Sequence, residues 1–404
     1  MFVARIIRRL REQRGQTLIF FVGAFTVIAI VGAIVIDFGV WFSERRGAQT
    51  DSDLISLAGA YELLTNGSAY AEVDIATQQS AVANGVDPVE DLQNLAVRSL
   101  EFPDGYETDP DYCHTATDTG GRLNAVVLDV EHDSRAFFAG ILGLGSPDIG
   151  AHACARAGSL RSTSGLMPWA VPLFTSDCFD WNDDGDGVKE TDEFVPLFGE
   201  ECIFRIDNPS QVGSIRLGPD EGDDCSGPGG AGANIYRENI REGSPAICEI
   251  DGMIDTEPGL QPNPTKQALA DLLATEGECD ALNSAAPDGI DDFEESFAPN
   301  SDIIGPDTTF VTKDCETPRG LSIVIVDEFD GLGFDSVPIR GFAGFFLVAC
   351  DVLDNDGNVI EISRKCDFAG PSFQIRGFFM SIVLLEGEIG AFNQFGTTVI
   401  RLAE

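Results

Sequence analysis

The sequence predicts an α+β protein: a single N-terminal transmembrane helix, extended into a helical stalk, then a β-rich, disulfide-bonded extracytoplasmic domain. Three observations predict it. An uninterrupted apolar run follows a basic arm, and ten widely spaced cysteines all lie beyond that run. Past residue 161, short apolar segments alternate with Asp/Gly/Pro-rich loops, the pattern of strands joined by long connections.

The basic arm spans residues 1–16 and carries Arg5, Arg8, Arg9, Arg11 and Arg14. Thr17–Phe42 follows, 26 residues with one charge, Asp37. As a helix it is about 39 Å long, enough to cross a bilayer with some tilt. Positive charge before the span and Glu44 after it place the N-terminus in the cytoplasm. The run is too long for the core of a cleaved signal, and it ends in Trp41 and Phe42, which suit an interface. A retained anchor is therefore expected, with the lipid bilayer as its first partner. A carboxylate in a span needs water or a partner, so Asp37 is expected to reach the outer headgroups or to touch a neighbouring helix. Ala29 and Ala33, with Gly32 beside them, form a small-xxx-small pair that permits close helix approach.

Residues 43–102 read as the stalk, with Leu54, Leu57, Ala58, Tyr61 and Leu64 at helical spacing and a break at Asn66-Gly67. Tyr70–Asn84 reads as a second helix and Pro88–Leu100 as a third. Residues 103–160 form a small α+β unit: a loop holding Cys113, a strand at Leu123–Val130, an amphipathic helix at Ser134–Leu144 and a strand at His152–Ala157. Residues 161–404 form the β-rich domain. Its strands are predicted at Val195–Phe198, Ile203–Ile206, Leu321–Val326, Ile339–Val348, Val359–Ile362 and Phe373–Leu385, with one helix at Thr265–Ala274.

The chain of 404 residues carries a formal charge of −42, from 67 acidic and 25 basic residues. Such a surface repels nucleic-acid phosphates, which excludes DNA and RNA as partners. A 43% hydrophobic content with 28 Phe supplies a core and excludes disorder throughout. No C-x-x-C pair exists; the nearest cysteines, Cys350 and Cys366, are sixteen residues apart. Even, wide spacing favours structural disulfides and an oxidising compartment. Cys350 and Cys366 flank a hairpin and are expected to pair, and Cys178 with Cys202 brackets an acidic loop.

That loop resembles a calcium site. Started at Asn182, it places Asp184, Asp186, Gly187, the Val188 carbonyl, Glu190 and Glu193 where a twelve-residue calcium loop has its ligands and its turn glycine. Ca2+ is thus the one cofactor the sequence implies. A second group, Asp351, Asp354 and Asp356 with Gly357, reads first as a hairpin turn. No G-x-S-x-G, H-E-x-x-H or Walker A sequence is present, and His114, His132 and His152 lie in separate elements, so catalysis is not expected.

Arg14-Gly15-Gln16, the apolar run, Ile36-Asp37-Phe38-Gly39, and Gln49 through Asp53 to Leu57-Ala58-Gly59-Ala60 resemble the N-terminal segment of TadE/TadG-like proteins of the bacterial tight-adherence (Tad, Flp) pilus. Phe137–Gly143 and Ala151–Ala157 are similar to the next stretch of that family. Tyr236–Ile240, Glu257-Pro258-Gly259, Pro264-Thr265 and Ile339–Phe346 resemble later segments. Two departures stand out. Phe20 occupies the position five residues after Gly15 where pilin-like precursors carry Glu, and Val326–Asp330 lacks the serines of the D-x-S-x-S metal site found in many long family members. The resemblance implies a membrane-anchored, non-enzymatic part in pilus assembly or presentation, with other Tad components or a second copy met through the membrane helix. A stand-alone calcium-stabilised adhesin or filament subunit, and an exported hydrolase, are the alternative readings.

Overall fold

The computed structural model describes residues 14–65, 70–101, 113, 116–134, 138, 147–182, 185, 187–198, 200–205, 212–220, 225, 232–257, 262–274, 297–299, 310–312, 318–329, 336–369, 372–380, 382–384, 388–390 and 392–402. Helix α1, Arg14–Thr65, runs unbroken for 52 residues, about 78 Å at the α-helical rise. The stretch beginning at Phe20 is long and apolar enough to cross a membrane. From Phe20 to Ile36 its large apolar side chains are exposed on every side. A helix that is apolar all round needs either a core or lipid around it.

Beyond Ile36 the same helix becomes one-sided. Asp37, Ala48, Ser52, Ile55, Gly59 and Leu63 are buried, with Trp41 and Glu44 half-buried between them. The predicted face was rotated from this one. Leu54 is exposed, while Leu57, Ala58, Tyr61 and Leu64 flank the contact half-buried. Small side chains occupy the centre because the helix lies close to a sheet. Ser52 and Ser56 turn their hydroxyls back to the carbonyls of Gln49 and Asp53, at 2.8 and 2.9 Å, so no polar atom obstructs the approach. Helix α2, Tyr70–Ala83, packs alongside through Val73, Thr77 and Ala81.

The first sheet has the order β1 (Leu92–Arg98), β2 (Ala125–Asp133), β3 (Asp148–Thr163) and β19 (Thr397–Leu402), then β17 (Ile382–Leu384), β12 (Phe310–Thr312) and β11 (Phe297–Pro299). Short strands β9 (Cys248–Glu249) and β18 (Glu388–Gly390) pair with the far end of β3. Strand β3 runs through residue 160, and β19 pairs with its 155–159 stretch, so this sheet takes strands from both sides of that position. One correction concerns 88–100. The spacing of Leu92, Leu95, Ala96 and Leu100 fits a helix, but the segment pairs antiparallel with β2 and bulges at Asn94, whose φ is +52°. Pairing with a partner strand about thirty residues away overrides the local period. The predicted helix at Ser134–Leu144 lies almost wholly outside the described residues.

The second sheet has the order β7 (Glu201–Phe204), β16 (Phe373–Met380), β14 (Ser336–Leu353), β13 (Gly320–Val326), β4 (Leu166–Pro172) and β8 (Gly213–Ser214). Strands β10 (Met253–Asp255) and β15 (Val359–Ser363) add to the two ends of β14. Strands β5 (Phe179–Trp181) and β6 (Phe194–Pro196) form a separate ribbon. One face of the second sheet carries Trp169, Ile323, Phe345, Ile375 and Phe379, covered by helices α3 (Ala233–Glu242) and α4 (Pro262–Ala274). The opposite face, through Ala170, Val324 and Phe342, meets Leu160, Ile389 and Val399 of the first sheet. The layers are therefore α1 and α2, first sheet, second sheet, α3 and α4.

Four disulfides join Cys113–Cys154, Cys178–Cys202, Cys225–Cys248 and Cys350–Cys366. Cys279 and Cys315 lie outside the described residues. The Cys350–Cys366 bond closes a sixteen-residue separation across the β14–β15 hairpin. Replacing both cysteines by Ser is expected to cost about 3 kcal/mol, read by chemical denaturation of the oxidised chain.

Gly59 gives the sharpest packing test. A Cβ there would lie 2.7 Å from Thr77 Cγ2 and 3.1 Å from Val126 Cγ1, whereas one on Gly47 would meet nothing within 4 Å. Gly47→Ala should raise stability by up to about 1 kcal/mol through helix propensity. Gly59→Ala should lower it by about 1–3 kcal/mol through overpacking. Thermal unfolding of the two variants, side by side, checks the opposite signs.

Candidate functional site at the helix–sheet junction

The residues that distinguish the N-terminal segment converge on one junction. Asp37 is 2% exposed. Its Oδ1 and Oδ2 accept the backbone N–H of Phe138 at 3.1 and 3.0 Å. A buried carboxylate is tolerated only when hydrogen-bonded. The helix therefore meets, at the last turns of its apolar stretch, a chain segment 101 residues away in sequence. The expected destinations for Asp37 were headgroups or a neighbouring helix; the structure instead gives it a partner within the chain. Ala29, Gly32 and Ala33 lie on the all-round apolar stretch, and a Cβ on Gly32 would meet nothing within 4 Å among the described residues.

Three turns further, Gln49 Nε2 donates to Asp53 Oδ1 at 2.8 Å and to the carbonyl of His152 in β3 at 3.0 Å. Gln49 and Asp53 thus act together: the carboxylate orients the amide, and the amide pins helix to strand. Ala48 packs with Ile149 and Ala151, and Trp41 lies against that group. Ile55, Ala60 and Leu63 continue the contact onto Val126, Leu128, Ala155, Ala157 and Ile400. Burying a side chain such as Ile55 or Leu63 contributes about 1.5–3 kcal/mol. The junction is thus held by apolar burial, with two polar ties fixing its register.

The acidic loop is described in part. Cys178–Cys202 brackets it as expected. Asn182, Val188, Glu190 and Glu193 are described, while Asp184 and Asp186 lie outside the described residues. Among the described residues no three acidic, histidine or cysteine side chains gather as a metal group. Glu193 Oε2 accepts the indole N–H of Trp181 at 2.8 Å and the backbone N–H of Glu190 at 3.2 Å. Lys189 lies over the rings of Trp181 and Phe194 and donates to the Phe174 carbonyl at 2.7 Å. The carboxylate assigned to the twelfth ligand position therefore ties a β-ribbon to a short 3-10 turn, Thr191–Glu193.

In the second acidic group Asp354 and Asp356 share the hairpin turn, while Asp351 is engaged elsewhere. Asp351 is buried between Arg376, at 2.7 Å, and Gln374, at 2.9 Å. Asp354 serves the hairpin turn. Backbone and side-chain hydrogen bonds from Asn358, then those from Asp356 and Gly357, hold its carboxyl below the ordinary aspartate range. That contribution to the turn is present above the ordinary aspartate pKa and is lost as the pH falls through the lowered one.

Sequence reading missed a buried polar knot. Trp169 Nε1 donates to Tyr236 Oη at 2.8 Å, and Tyr236 Oη lies 3.0 Å from Thr265 Oγ1 and 3.3 Å from Ser214 Oγ. Burial pushes the Tyr236 phenol upward in pKa, so it remains a neutral donor and acceptor. The knot joins β4 and β8 to α3 and α4.

These features define a class: a protein whose long apolar N-terminal helix is rooted in a disulfide-bonded α+β body. Residues 15–62 match the family model described as Flp pilus-assembly TadE/G-like. Residues 58–155 match the one described as Tad-like Flp pilus-assembly. Over residues 15–155 the chain is thus similar to TadE/G-like Flp pilus-assembly proteins. The matched region contains α1, α2, β1, β2 and the first half of β3, which are the elements of the junction. No curated protein and no solved structure matches the chain.

The metal question reduces to one residue. If Glu193 is a tie between Trp181 and Glu190, Glu193→Gln lowers the melting temperature by the same amount in millimolar calcium and in chelator. A loss seen in calcium alone would show Glu193 to be a cation ligand.

Proposed function

We propose that this protein is a membrane-anchored, non-enzymatic component of a Tad/Flp-type pilus, acting in assembly or presentation. Its N-terminus lies in the cytoplasm and its acidic, disulfide-bonded body outside. The observation that carries this reading is the junction. A helix apolar on all sides for 17 residues, Phe20 to Ile36, becomes one face of a folded body at Asp37 without a break in its hydrogen bonding. Such a rod delivers displacement in the membrane to the body with little loss, because no hinge separates the two.

Several other features support the same reading. The disulfides fit an oxidising compartment. The five arginines before the span against two, Arg45 and Arg46, just after it favour an inward N-terminus. The family matches supply the pilus system.

Two experiments test the proposal. A reporter active only outside the cytoplasm, fused after residue 404, should be active; a silent but stable fusion overturns the topology. In the host bacterium, Asp37→Leu keeps the span apolar and removes the acceptor for the Phe138 amide, at a cost of about 1.5–3 kcal/mol. Surface Flp pili, measured in the sheared fraction, should fall severalfold while the protein remains in the membrane. Unchanged pili, both in this variant and in a strain lacking the gene, remove the protein from the system.

A further inference from the structure

The outward side of α1 changes character one turn beyond its apolar stretch. Phe38 and Phe42 are 52% and 67% exposed. Arg45 and Arg46 follow one turn later, also exposed. Positions three and four apart are neighbours on a helix, so the arginines sit one turn above Phe42, which itself sits one turn above Phe38. Neither makes an ion pair among the described residues, although the chain carries 67 acidic residues. By contrast, Arg216, Arg241, Arg340 and Arg376 each hold a carboxylate.

We propose that Arg45 and Arg46 bind the phosphate groups of anionic phospholipids at the surface of the bilayer, with Phe42 seated beneath them at the interface. The inference rests on the anchored reading above. The chemistry is complementary: a planar guanidinium meets phosphate oxygens through two parallel N–H donors, and aromatic rings favour the headgroup boundary. The depth also fits. Thr17 to Ile36 is 20 residues, about 30 Å of helix, which matches about 30 Å of hydrocarbon. Phe38 and Phe42 then lie in the headgroup layer, and the long arginine side chains reach back towards the phosphates. The contact has a further consequence. A body with a charge of −42 is repelled by an anionic surface. Two cations at its root oppose that repulsion where the body is nearest the lipid, and so fix how deep the helix sits.

The test uses the full chain reconstituted in phosphatidylcholine vesicles doped with spin-labelled phosphatidylglycerol or spin-labelled phosphatidylcholine. The readout is the motionally restricted fraction by electron paramagnetic resonance. The native chain should prefer phosphatidylglycerol, and Arg45→Gln/Arg46→Gln should reduce that preference by about threefold or more. The remainder comes from the basic arm. Lys365→Gln, which removes a charge from the distant hairpin, should leave the preference unaltered. An unaltered preference in the arginine variant overturns the proposal, as does an equal loss in Lys365→Gln. A native chain that restricts neither lipid is not in the bilayer, which overturns the anchored reading and this one with it.

Discussion

The structure depends on one helix having to satisfy two surroundings. Over its first half, α1 offers apolar side chains in all directions, and over its second half it offers a stripe to a sheet. Neither half alone dictates where the change occurs. Asp37 does, because its carboxylate is 2% exposed and both its oxygens are engaged by the Phe138 amide. A charge cannot be moved inward into lipid, nor left in the contact without its donor. The hydrogen bond therefore sets the boundary between the two halves, and the register of the sheet contact follows from it.

The stripe itself shows how that register is held. Asp37, Ala48 and Gly59 are eleven residues apart, as are Trp41, Ser52 and Leu63, and Glu44 and Ile55. Eleven residues make three turns with about 20° left over, so such a repeat keeps one face of an α-helix against one surface for several turns. The composition of the repeat matters as much as its period. Alanine, serine and glycine at its centre bring the backbone close to β2 and β3, and Gly59 admits Thr77 and Val126 into the space a side chain would occupy. Larger residues, Leu57, Tyr61 and Leu64, close the margins. A slip of one residue would turn the stripe by about 100° and bring bulky margins into the centre.

How much of this was legible in the sequence follows from the range over which each feature is determined. The apolar run, the long helix and the strands β13 to β16 are local patterns, and they fall close to where periodicity places them. The Cys178–Cys202 and Cys350–Cys366 bonds are nearly local, since each closes a short excursion around one loop. Strand β1 was misread as helix because its apolar spacing serves both periods, and only β2 decides between them. The partner of Asp37 and the return of β19 to β3 depend on residues far apart in the chain, and no local pattern encodes them. In the acidic loop, ligand spacing counts carboxylates but not the donors that compete for them, and Trp181 and the Glu190 amide both engage Glu193.

The same competition accounts for how a chain of such charge folds at all. Its buried carboxylates are engaged by specific donors: Asp37 by an amide, Asp351 by Arg376 and Gln374. Arginine is used in the same way in the body, where Arg319 is buried and donates to the carbonyls of Leu347, Val348 and Arg364. Cations are scarce, 25 against 67 acidic groups, so each one engaged inside the body leaves a surface carboxylate without a counter-charge. The body consequently repels other acidic surfaces. Among the described residues, apolar surface is left exposed on a large scale in the first half of α1. Whatever force arrives there reaches the body through the junction that Asp37 and Gln49 tie to it.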